Sequence, residues 1–256
     1  ITKRQRFILM ASFLTVVLLA TQTVSLDFRY QVMGFLAVMT ILLSIFSLWG
    51  ELSGIKYFLL LLLPAYFVMG ATLFYFLLPV RWLTRLPFAI IFGISVYLLM
   101  LTSNIYNVAA IRTIALLRAA HAVGLLFSLI SAFFLVNVLF SLHFPFYLLA
   151  IGTTFITFPL FLVGLWSYEL EDFISKRVFR YGVVYTLITA EASLVLSFWP
   201  ITPINAALIV ATIMYVLLGL GQLEFTQKLR QRVIWEHIAI AMIVFVIVLI
   251  STRWGG

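Results

Sequence analysis

Nine runs of predominantly apolar residues follow one another along the chain, separated by short polar connectors. A helix needs about 20 such residues to cross about 30 Å of hydrocarbon, so each run reads as a membrane span. The runs cover residues 7–26, 32–49, 57–78, 86–101, 119–142, 146–166, 182–199, 204–220 and 238–250. The fourth and ninth are the shortest. Composition leaves no soluble alternative. Apolar residues fill 65% of the 256 positions and charged residues 9%, against about 45–50% and about 25% in a soluble domain. The expected fold is an all-α polytopic bundle occupying residues 1–256 as a single integral membrane domain, because no connector is long enough to hold a soluble one.

Basic residues orient the bundle. With nine spans and a cytoplasmic N-terminus, Lys3, Arg4, Arg6, Lys56, Arg112, Arg118, Lys176, Arg177, Arg180, Lys228, Arg230 and Arg232 lie inside. Arg29, Arg81, Arg85 and Arg253 lie outside, so the C-terminus is external. This is the asymmetry expected of an inserted protein. Trp49, Trp82, Trp166, Trp199, Trp235 and Trp254 all fall at predicted span ends, where an indole ring prefers the headgroup zone. The first run lacks an Ala-x-Ala-like cleavage site and reads as a span rather than a removable signal. The absence of cysteine and of Asn-x-Ser/Thr sequons is compatible with a prokaryotic cytoplasmic membrane. Two inner connectors, 167–181 and 221–237, mix acids, bases and spaced apolar residues in the manner of a short helix lying on the membrane surface. Their bases would attract anionic lipid at the cytoplasmic face, or serve as topology signals alone.

Much chemistry is excluded by what the chain lacks. The net charge of +8 is dispersed between apolar runs rather than gathered in a patch, which argues against nucleic acid. His121, His143 and His237 are the only histidines and none is central in a span, so no paired haem ligation is expected within the bilayer. No lysine sits in a span to form a retinal Schiff base. Aspartate occurs only at Asp27 and Asp172. The paired Asp-rich motifs with which UbiA-type prenyltransferases hold Mg²⁺-diphosphate therefore have no counterpart. Neither a metal site nor a cofactor is expected.

Three groups of polar residues remain. Glu191 is the only carboxylate within a predicted span, nine residues from its inner end and about 13 Å deep. It reads either as a proton or cation relay or as a neutral hydrogen-bonded link to a neighbouring helix. On a helical wheel Thr186, Ala190, Ser193 and Ser197 form a small stripe, with Glu191 roughly opposite beside Val184, Leu187, Val195 and Phe198. That phase predicts a helix packed on both sides, and a lipid-directed Glu191 would count against both readings.

The second group is Asn104, Asn107, Arg118 and His121, which share one face if residues 104–121 form a continuous helix. Such a face would grip a phosphate or carboxylate headgroup, or simply snorkel to lipid phosphates. The third is Pro64 and Pro159 inside the third and sixth spans. Thr153, Thr154 and Thr157 precede Pro159 and are placed to satisfy freed carbonyls, beside a cavity or in a plain packing contact. Gly124, Ser128 and Ala132 repeat at the spacing that permits close helix approach.

Three functional classes are compatible with these residues. One is a structural or accessory subunit packed against a membrane partner. Another is a small proton-coupled or lipophilic-solute carrier using Glu191. The last is a lipid-active enzyme with an anion site at Arg118 and His121, for which no nucleophile or metal ligand is evident.

Overall fold

The computed structural model describes residues 2–21, 28–48, 55–79, 81–109 and 115–252, with the backbone alone for Arg29, Tyr30, Met33 and Tyr57. These residues form α1 (Lys3–Ala20), α2 (Arg29–Ser47), α3 (Lys56–Leu77), α4 (Trp82–Ala109), α5 (Leu117–Ser141), α6 (Phe146–Glu169), α7 (Lys176–Leu196), α8 (Pro203–Phe225) and α9 (Gln231–Ser251). Among the described residues there is no strand. Seven helices, α3 to α9, are long and apolar enough to cross a membrane. The chain is a multi-pass helical membrane bundle. α1 opens on Lys3, Arg4 and Arg6, and the apolar part of α2 is the shorter stretch Gly34–Ser47.

Four helices, α4, α6, α8 and α9, run past the C-terminal ends of their apolar runs, and α7 and α9 start well before theirs. The two spans read as shortest extend to 28 residues in α4 and 21 in α9. The surface helices expected in 167–181 and 221–237 are replaced by continuations of the spans. α6 runs to Glu169 and α7 starts at Lys176; α8 runs to Phe225 and α9 starts at Gln231. Backbone hydrogen bonding explains the difference, because polar residues at a helix end keep its ladder intact while their heads reach water. Leu170 ends α6 in the left-handed region at φ 53°, and the Ser175 hydroxyl starts α7 by accepting from the Val178 N–H at 3.1 Å. Pro64 and Pro159 are carried inside α3 and α6, and Pro87 lies inside α4.

The chain divides into two compact units, residues 1–127 and 128–256, with the boundary inside α5. In the first, α1 packs on α2 and α4, and α3 packs on α2 and α4, closing a ring of four helices. Its centre is joined by the Ser44 hydroxyl, within 3.9 Å of the Met10 sulfur and 3.6 Å of the Met100 sulfur. Arg85, predicted to lie in an external connector, is instead an almost fully buried α4 residue. Its guanidinium sits 5.1 Å from the Tyr75 ring centroid and donates to the Leu78 carbonyl at 3.4 Å. The cation thus meets the negative end of α3, which offsets part of its desolvation.

In the second unit α6, α7 and α8 pack mutually, and α9 packs on α8. Trp166, expected at a headgroup boundary, is fully buried in α6, with its indole N–H donating to the Glu171 carbonyl at 2.9 Å. Trp82 and Trp235 are exposed, whereas Trp49 and Trp254 fall outside the described residues, as do Arg112 and Arg253. Along α9 only Val248 is buried.

Candidate functional site on α7

α7 separates its residues by chemistry onto two faces. Toward α6 it presents Thr186, Thr189 and Ser193, all buried. The Thr153 hydroxyl donates to Ser193 Oγ at 2.8 Å, and Thr157 and Thr189 share a hydrogen bond at 3.1 Å. Thr157 and Thr154 also donate to the carbonyls of Thr153 and Ala150, one turn back. Thr153 and Thr157 have no exposed surface. The polar residues before Pro159 therefore form a closed seam between two helices, with the hydroxyls satisfied by each other and by their own backbone rather than by a cavity.

At its N-terminal end α7 meets α8 through an aromatic and charged cluster. The Tyr181 hydroxyl donates to Glu224 Oε1 at 3.2 Å, and Arg177 lies 3.9 Å from the same oxygen and 4.2 Å above the Phe225 ring. Tyr185 packs against Phe161 at 5.5 Å between centroids. This cluster escaped the sequence reading, which treated 167–181 as a connector. The available signal was the i, i+4 spacing of Arg177, Tyr181 and Tyr185, which places all three on one helical face.

The opposite face of α7 is uncovered. Val184, Leu187, Glu191, Val195 and Phe198 are all exposed. Glu191 is exposed and has no hydrogen-bond or ion-pair partner among the described residues, which counts against both an internal relay and a link to a neighbouring helix of this chain. Because α7 begins at Lys176, Glu191 stands 15 residues from that end and 5 from Leu196, or about 22 Å and about 8 Å along the axis. It lies nearer the C-terminal end of the helix than the apolar run implied.

The second predicted group is divided between helices. The single helix expected over 104–121 is not seen: α4 is described to Ala109, 110–114 lie outside the described residues, and a turn at 115–116 precedes α5, so Asn104 and Asn107 are on one helix and Arg118 and His121 on the next. Asn107 is buried and Arg118 exposed. Sequence reading missed Tyr106, which ties the two helices. Its hydroxyl donates to the Ala120 carbonyl at 2.9 Å, and its ring centroid lies 5.7 Å from that of His121. Its hydroxyl also occupies the space that a side chain at Gly124 would need. The small residue at the head of the Gly124, Ser128, Ala132 series thus receives a tyrosine. Pro64 lies within α3, and the Leu60 carbonyl, four residues before it, accepts from the Ser103 hydroxyl of α4 at 3.1 Å.

Among the described residues no group of three His, Cys, Asp or Glu side chains converges as a metal site. Comparison with protein-family models, with curated proteins and with solved structures gives no match.

Proposed function

We propose that the chain is an accessory subunit that packs laterally against another membrane protein, with the uncovered face of α7 around Glu191 as its contact. The observation that carries this reading is the outward direction of Glu191, an ionisable group in a spanning helix with no partner among the described residues of its own chain. A carboxyl group directed at hydrocarbon costs several kcal/mol unless it is neutralised or hydrogen-bonded. A partner helix offering a basic or hydrogen-bond-donating side chain at that depth would remove the cost. Leu187 and Val195, one turn on either side, supply the apolar flanks of such a contact.

A carrier reading places Glu191 on an internal polar path. Its outward direction and the closed seam at Thr153 and Thr157 favour the subunit instead. The test is purification from source membranes in mild detergent, with a photoreactive residue replacing Val195. A stoichiometric companion crosslinked through position 195, and lost from the Glu191→Leu variant, is the expected result. Crosslinks to lipid alone, or a companion retained equally by Glu191→Leu, would overturn the proposal.

A further inference from the structure

We infer that the N-terminal third of α7 holds a site for one anionic phospholipid, formed by the groove between the loop before it and its own outer face. The groove has a volume of about 510 Å³ and is lined by Ile174, Lys176, Phe179, Arg180, Val183 and Val184. Its two cations and its apolar wall are arranged in sequence along the helix. Lys176 and Arg180, at i and i+4, share one side of the first turns, while Phe179, Val183 and Val184 continue toward the middle of the span.

Charge selects the occupant. Three bases open α7, but they are not equivalent. Arg177 is turned toward Glu224 and Phe225, whereas Lys176 and Arg180 are exposed and have no carboxylate partner among the described residues. The first turn of α7 also lacks an acid, so the positive end of the helix dipole adds to theirs. An anionic headgroup at the two cations gains charge-assisted hydrogen bonds, and an acyl chain covers the apolar wall. A soluble anion would leave that wall bare, and a zwitterionic lipid would bring its own cation to the two bases. The groove shares Val184 with the uncovered face that carries Glu191, but its cations stand 11 or more residues toward the N-terminal end of α7, and the assignment does not rest on the partner contact.

Native mass spectrometry of the full chain, released from detergent after exposure to equal amounts of phosphatidylglycerol and phosphatidylcholine, tests the assignment. One retained phosphatidylglycerol per chain is expected. Lys176→Gln with Arg180→Gln should reduce the preference about thirtyfold, from the contribution of two cations at a membrane surface. Arg230→Gln with Arg232→Gln removes the same net charge elsewhere and should leave the preference unchanged. Val184→Trp fills the groove while keeping both cations, and should abolish retention; its outward position keeps it clear of the seam with α6. Each variant is first shown to be monodisperse. Equal retention of the two lipids, equal losses in the two charge variants, retention by Val184→Trp, or displacement by soluble glycerol phosphate would each overturn the site.

Discussion

The rings of Tyr215 in α8 and His237 in α9 lie face to face, 4.9 Å apart between centroids and 11° from parallel. His237 Nδ1 is 2.9 Å from the Val233 carbonyl and therefore donates to it, which leaves Nε2 turned toward Gly219. At the other end of the pair, the Asn205 amide donates to Ser251 Oγ at 3.0 Å, and Trp199 meets Phe245 at 5.8 Å. α9 is held at its two ends while most of its length is uncovered.

Gly219 is the seat of that arrangement. A Cβ there would lie 2.5 Å from His237 Nε2 and 2.9 Å from its Cδ2. Gly219→Ala should destabilise the chain by about 1–3 kcal/mol through overpacking. In a His237→Ala background the obstructing ring is gone and the penalty should largely vanish. Thermal unfolding in detergent reads both, and an equal loss in the two backgrounds would show that the ring is not the obstruction.

The hydroxyl seam between α6 and α7 should show pairwise coupling. Thr157→Val and Thr189→Val each remove one side of the 3.1 Å hydrogen bond, and interhelical bonds of this kind contribute about 0.6 kcal/mol. The double variant should therefore lose about that much less than the sum of the singles. Steric-trap unfolding in micelles measures the four corners of the cycle, and strict additivity would mean that the bond contributes nothing.

Tyr106 and Gly124 form a second close contact, between α4 and α5. Gly124→Ala drives a methyl group into the tyrosine hydroxyl, so it should lower the melting temperature. Tyr106→Phe removes the obstructing oxygen along with the hydrogen bond to Ala120. Its own cost should be about 1 kcal/mol, and Gly124→Ala should be milder when added to it. A Gly124→Ala penalty unchanged by Tyr106→Phe would exclude the hydroxyl as the point of contact.

Glu191→Leu separates folding from association. An exposed side chain without a partner among the described residues should be replaceable with a change within about 0.5 kcal/mol, or with a gain when the replacement prefers hydrocarbon. The purified chain should keep its melting temperature while losing its companion. A fall of more than about 1 kcal/mol in the isolated chain would place a partner for Glu191 within the same molecule.

Arg85 should be hard to replace. Arg85→Met retains bulk but abandons the Tyr75 face and the Leu78 carbonyl, and should cost about 1–2 kcal/mol. Arg85→Lys keeps the charge without the planar group, so its melting temperature should fall between those of the methionine variant and the unaltered chain. Equal melting temperatures for Arg85→Lys and Arg85→Met would remove the charge from the explanation.

Hydropathy located the seven spanning helices α3 to α9, out of nine runs expected, because each must satisfy its backbone internally and meet lipid outside, and that requirement writes itself as a long apolar run. It placed the ends poorly. Lys176, Arg177, Arg180 and Tyr181 are polar yet helical, and only the observed cap at Ser175 fixes where the helix begins. The 100° wheel gave the right division of α7, with Thr186 and Ser193 on one side and Glu191 on the other. A wheel gives direction without saying what lies there, so the missing neighbour of Glu191 was not readable. The break between Asn107 and Arg118 was equally hidden, since residues 103–121 contain neither glycine nor proline to announce it. Tyr106, in the connector between the fourth and fifth runs, was passed over because its partner carbonyl at Ala120 carries no side-chain signature.

The connectors of the second unit limit how such a molecule meets anything else. Residues 142–145, 170–175, 197–202 and 226–230 are all that join its helices, so these connectors offer little reach into the water on either side. Encounters through its spanning faces take place in a plane. Occupancy of a face such as that of α7 is then governed by the number of companions per unit area of membrane, and a fixed quantity of protein spread over more bilayer would dissociate without any change in bulk concentration.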